Sequence, residues 1–212
     1  MSDSQLTTPE PIPETENAAA PRKRPKPGER RVQILQALAT MLEQPGAERI
    51  TTAALAARLE VSEAALYRHF ASKAQMFEGL IEFIEQSVFT LVNQITERES
   101  AGSAQAAKVM AMLLQFAEKN PGMTRVMVGD ALVFENERLQ QRMNQFFDKI
   151  EATLKQSLRT AADDASATPS ADAQVKASML TSFAVGRLQR FARSGFRRMP
   201  SEHLEPSLAH ML

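Results

Sequence analysis

From Val32 to Leu212 the large apolar side chains recur at intervals of three and four residues, and nowhere do they alternate with polar ones next to a hairpin turn. A chain with that single period buries its apolar surface as packed amphipathic helices. The expected fold is therefore all-α. Val32, Leu35, Leu38, Ala39 and Leu42 share one face of a first helix that begins at Glu29 and is stopped by Pro45-Gly46. Thr51-Thr52 caps a short helix, Ala53 to Leu59, and Ser62 caps another, Glu63 to Phe70. Ser72 opens a long helix to about Arg98, with Met76, Phe77, Leu80, Ile81, Ile84, Val88 and Leu91 as its buried stripe. After a break at Glu99 to Ser103, the period predicts helices over Val109 to Lys119, Met123 to Phe134, Asn136 to Thr160, Val175 to Gly195 and Leu204 to Leu212. Leu139, Met143, Phe146, Ile150 and Leu154 form a near-heptad seam suited to pairing with a partner helix.

Composition narrows the function. The 212 residues contain no Cys, which excludes disulfide scaffolds, thiolate metal sites and cysteine nucleophiles. His69, His203 and His210 are too dispersed for a helical metal pair. No phosphate loop, nucleophile elbow or metal constellation is present, so neither an enzyme nor a cofactor is expected. No apolar run reaches about 18 residues, so no membrane segment is expected. The beginning of the chain lacks the apolar core of a secretory signal, which implies the cytoplasm. Lys and Arg balance Asp and Glu at 25 each, so affinity for an anion must come from local clustering.

One such cluster follows an acidic, proline-rich leader. Residues 1–20 carry Asp3, Glu10, Glu14 and Glu16, and residues 21–31 carry six basic side chains against Glu29. Residues 1–28 lack the apolar surface to fold alone and read as an extension with a basic end, either solvated or tracking phosphates. Residues 29–75 would form a DNA-binding domain, and 76–212 a helical domain for dimerisation and partner binding. Further along, Arg187, Arg190 and Arg193 read as a solvated rim of a dimer interface rather than a second nucleic-acid surface.

Two short helices joined at Glu60-Val61 make the frame of a helix-turn-helix. Ala56, Ala57 and Ala65 are small enough for the helices to cross closely, and Val61 plugs the turn. The second helix has a thin outer face of Ala64, Tyr67, Arg68 and His69, narrow enough for a major groove about 12 Å wide. Tyr67, His69 and Lys73 supply donors to phosphates.

The run V-S-E-A-A-L-Y-R-H-F-A-S-K-A-Q-M-F, Val61 to Phe77, resembles the DNA-binding signature of the TetR family. One departure is Glu60, where the turn often uses a left-handed glycine, at a cost of about 1 kcal/mol. A wider set of matches is similar to the SlmA family of nucleoid occlusion factors. They are R-I-T-T-A-A-L-A from Arg49, L-I-E-F-I-E from Leu80, N-P-G from Asn120, R-L-Q from Arg138 and R-F-A-R-S-G-F from Arg190. The resemblance covers most of Arg30 to Pro200.

It implies a homodimer that binds palindromic chromosomal DNA and, while bound, antagonises polymers of the division protein FtsZ over the nucleoid. It places Thr51 and Thr52 on phosphate or sugar, Ser62, Ala64 and Tyr67 at bases or nearby phosphates, and Arg68, His69 and Lys73 in the same interface. It assigns Phe83, Met112, Gln115, Lys119 and Asn120 to the FtsZ C-terminal tail, although Phe83 read by itself is a core residue. Lys119 stands where that family commonly has Arg, which loses the bidentate fork, and Leu91 stands where another Arg is expected. Phe183, Ala184, Leu188 and Phe191 would pack the dimer interface. The alternative is a ligand-responsive TetR-type repressor, whose pocket would need polar groups among Met110 to Phe134.

Overall fold

The computed structural model describes residues 28–44, 49–161 and 169–212, and the described residues are helical with no strand. The helices are α1 (Glu29–Leu42), α2 (Thr52–Arg58), α3 (Glu63–Tyr67), α4 (Lys73–Arg98), α5 (Gly102–Lys119), α6 (Pro121–Met127), α7 (Glu137–Ala161), α8 (Pro169–Arg193) and α9 (Leu204–Met211), with a 3-10 turn at Asp130–Leu132. The leader, the basic residues 22–26 and the Pro45-Gly46 stop lie outside the described residues.

Helix starts follow the sequence where a hydroxyl caps them. Thr51, Ser62 and Ser72 each accept the backbone N–H three residues on, from Ala54, Ala65 and Gln75. Where no cap signal exists the boundaries move. Helix α5 begins at Gly102, seven residues before the expected Val109, since Gly, Ser, Ala, Gln and Lys in its first two turns give no stripe of large apolar residues to mark the start. Gln105 secures that start by donating to the carbonyls of Thr96 and Glu99. The helix expected over Met123 to Phe134 ends at Met127, since Gly129 takes a left-handed φ of 84° before the 3-10 turn. Helix α3 stops at Tyr67 rather than Phe70, with His69 and Phe70 N–H both donating to the Leu66 carbonyl.

One continuous core runs from Ile34 to Leu208. Helix α4 enters both parts of it, and the boundary expected at residues 75 and 76 falls inside its first turn. The chain reverses at Glu99–Ala101, where Lys108 holds the Glu99 carboxyl below the usual carboxylate range, and α5 returns toward the amino-terminal helices. The whole α7 seam, Leu139, Met143, Phe146, Ile150 and Leu154, is buried against α5 and α8 of the same chain. The partner helix that the heptad spacing called for is thus intramolecular.

Gly122 fixes how α6 meets α1. A Cβ there would lie 2.0 Å from the Ala39 carbonyl oxygen, so only glycine allows this backbone approach. Three ion pairs join α4 to α7 and the residues just before it: Lys73 with Glu135, Arg138 with Glu78, and Arg142 with Glu85 at 2.5 Å. Bonding to Glu85 raises the Arg142 pKa further above its ordinary value.

Candidate nucleic-acid interface and partner surface

The turn between α2 and α3 closes as the sequence demanded. Glu60 adopts φ 53°, Val61 N–H donates to the Ala56 carbonyl and Glu60 N–H to Ala57, a Schellman ending made without glycine. Leu55, Ala56 and Leu66 are buried between the helices, which leaves Ser62, Glu63, Ala64, Tyr67, Arg68 and His69 exposed. Tyr67 is 45 % exposed, large for an aromatic ring in an otherwise packed unit. Ala64 and Tyr67 stand three residues apart on the same outward face.

Other expected contacts have internal duties. The Thr52 hydroxyl donates to Glu63 Oε2 at 2.5 Å and ties α2 to α3, so its proton is spent within the motif. Thr51 and Ser62 use their oxygens as caps, and neither hydroxyl donates to another described residue. Lys73 is paired with Glu135, the two side chains being 27 % and 10 % exposed. Arg31, expected in the basic arm, donates to the His69 carbonyl at 3.1 Å and lies 4.1 Å over the Phe70 ring. It thereby locks α1 to the end of α3, a role no spacing signalled.

The second surface is on the α4–α5 hairpin. Phe83 is 47 % exposed, which overturns its reading as core, and Leu91 is exposed two turns further along the same i, i+4 ridge. On α5, Met112, Gln115 and Lys119 lie on one outward stripe, with Met112 half-buried and the other two exposed. Asn120 is less available, since its Nδ2 donates to the Phe116 carbonyl at 2.7 Å.

The interface expected on α8 also needs correction. Ala184, Leu188 and Phe191 are buried inside the single chain, so they serve its own core. Phe183 is half-buried with the Arg187 guanidinium 4.8 Å over its ring. The face of α8 left outward is instead Val175, Met179, Ser182 and Gly186, with Val175 60 % and Met179 51 % exposed. The phase of the helix is rotated from expectation because both sides of it carry apolar residues.

Comparisons with known proteins bear on both surfaces. Residues 34–80 match the family described as bacterial regulatory proteins, tetR family, and residues 103–211 match the SlmA-like tetracyclin repressor-like C-terminal domain. The chain is 52 % identical over 174 residues to the nucleoid occlusion factor SlmA of Idiomarina loihiensis, covering 82 % of this chain and 89 % of that one. It is 50 % identical over 177 residues to the SlmA of Vibrio cholerae, covering 83 % and 90 %. The chain belongs to the SlmA family of nucleoid occlusion factors.

SlmA proteins fall within the TetR class of DNA-binding regulators and are not enzymes. The likeness in fold reaches further than the SlmA relatives. The fatty acid degradation regulator FadR from Bacillus halodurans superposes with a TM-score of 0.71 at 12 % identity, covering 89 % of this chain and 97 % of that one. AibR, solved with isovaleryl coenzyme A and operator DNA, gives 0.64 at 15 % identity, covering 86 % and 97 %. At these identities the likeness shows the TetR fold alone. No helix among the described residues is long and apolar enough to cross a membrane.

Proposed function

We propose that this chain acts in nucleoid occlusion: a homodimer that binds palindromic chromosomal sites and, while DNA-bound, antagonises FtsZ assembly over the nucleoid. The observation that carries this is the identity of about half to SlmA proteins over more than four-fifths of the chain, spanning both surfaces. The exposed α3 face supports the DNA half. Ala64 lets the backbone approach base edges, while Tyr67, His69 and the Thr51 and Ser62 hydroxyls reach phosphates. Two copies would present α3 to successive major grooves about 34–36 Å apart. The outward stripe of α8, Val175, Met179, Ser182 and Gly186, is the face that pairs the copies, with small residues where two helices approach.

The FtsZ half rests on the α4–α5 surface. Phe83, Leu91 and Met112 offer apolar contact and Lys119 a cation, chemistry suited to an acidic and apolar C-terminal tail. The protein would then reside in the cytoplasm on the nucleoid. The repressor reading fares less well. Met110, Leu113, Leu114, Ala117 and Val126 are packed and buried, and the buried Thr124 hydroxyl already donates to the Ala117 carbonyl at 2.9 Å, so the polar lining of the nearby cavity of about 470 Å³ comes from Asp130 together with Gln140, Asn144, Asp148 and Gln189.

Sedimentation of FtsZ polymers tests the proposal. With a cognate duplex present, the protein should reduce pelleted FtsZ, and without it much less. Pelleting undiminished in both conditions would reject the antagonist role and favour a local repressor.

A further inference from the structure

Helix α8 ends in an unusual accumulation of positive charge. Arg187, Arg190, Arg197 and Arg198, with Met199 and Glu202, line one concavity of about 470 Å³. Among the described residues none of the four guanidiniums is in an ion pair. Arginine near a helix C-terminus complements the helix dipole, which accounts for Arg190 and Arg193. It does not account for Arg197 and Arg198, which lie beyond the helix on the far side of the turn.

That turn is rigidly built. Gly195 takes φ 64°, and Phe196 N–H donates to the Phe191 carbonyl while their rings meet edge to face at 5.2 Å. Ser194 Oγ accepts the backbone N–H groups of both Arg197 and Arg198, at 3.0 and 2.9 Å, and the Arg197 Nε–H donates to the Ser194 carbonyl. The Arg125 guanidinium sits 5.2 Å over the Phe196 ring, and Ser201 N–H is held by Glu118 on α5. The arginines are therefore presented by a fixed backbone, which lowers the entropy lost on binding.

We propose that this cavity binds a compact oligophosphate anion. Four guanidiniums against one carboxylate, Glu202, leave a strong positive excess in a small volume. A phosphate chain concentrates matching charge in that space, and its oxygens suit the planar donor forks of arginine. A peptide would need several carboxylates in the same volume. The cavity shares no lining residue with α3 or with the α4–α5 surface, so the inference does not rest on the DNA and FtsZ reading.

Calorimetric titration of the full chain with inorganic tripolyphosphate and, separately, ATP, at fixed ionic strength, tests it. Saturable binding at one site per chain is expected, weakened about tenfold or more in the double variant Arg190→Gln, Arg198→Gln. Glu202→Gln, which removes the carboxylate from the lining, should tighten it. Equal affinity for both probes would identify the phosphate chain alone as the ligand, and tighter ATP binding would identify a nucleotide; either supports the site. Absence of saturable binding, or equal affinity in wild type and the double variant, would overturn it, the latter by placing the anion elsewhere, as on residues 21–31. A double variant that sediments as a monomer while wild type is a dimer would also overturn it, by assigning the arginines to chain pairing.

Discussion

The helix-turn-helix and helix α8 make an instructive pair. Both were assigned outward faces from sequence, and only the first kept its phase. In α3 five helical residues allow one arrangement: Leu66 is buried, and Ala64 and Tyr67 therefore face out. In α8 the 25 residues carry apolar groups around much of the circumference, so Ala184, Leu188 and Phe191 turn inward and Val175 and Met179 outward. A short helix pinned by caps at its start is fixed by local chemistry, whereas a long helix is phased by whichever neighbour offers more apolar area.

The comparison can be broken at several points. The largest effect is expected at Gly122, where any side chain meets the Ala39 backbone. Gly122→Ala should lose about 5 kcal/mol, at the severe end for one substitution, and a thermal melt would show it. Leu188→Ala should cost about 3 kcal/mol in denaturant unfolding, as a core cavity does, while Met179→Glu should leave chain stability nearly unchanged and dissociate the dimer in sedimentation. The reverse pattern would restore Leu188 to the interface. On the recognition face, Tyr67→Ala should weaken duplex binding by about 1–2 kcal/mol in a mobility-shift titration with no loss of fold.

Lys73 sharpens the contrast at smaller scale. If DNA must draw it from Glu135, then Glu135→Gln should strengthen duplex binding by about 0.5–1 kcal/mol, and Lys73→Ala should weaken it. Equal affinities for wild type and both variants would confine Lys73 to holding α4 against the residues before α7.

How much was legible follows from the same physics. The capped starts at Thr51, Ser62 and Ser72 and the left-handed Glu60 were readable because each is settled within a few residues. The α5 start was hidden by Ala and Gly, which bury without a periodic signature. Phe83 taken alone reads as core, since burial is the default for a phenyl ring; only the resemblance placed it at the surface, and nothing local shows that α4 turns it to solvent. Arg31 on the His69 carbonyl and Lys73 on Glu135 span 38 and 62 residues, distances over which no spacing rule operates. N-P-G signalled a helix break, but the close approach of Gly122 to α1 depends on the tertiary fold.

Hydroxyl-radical footprinting on a palindromic duplex asks the decisive question. A pair of α3 helices reading one face of the DNA predicts two protected segments centred about 10–10.5 base pairs apart, both needing about five- to thirtyfold more protein in Tyr67→Ala. A single protected segment, or a protection midpoint unchanged in Tyr67→Ala, would mean that α3 does not read the groove.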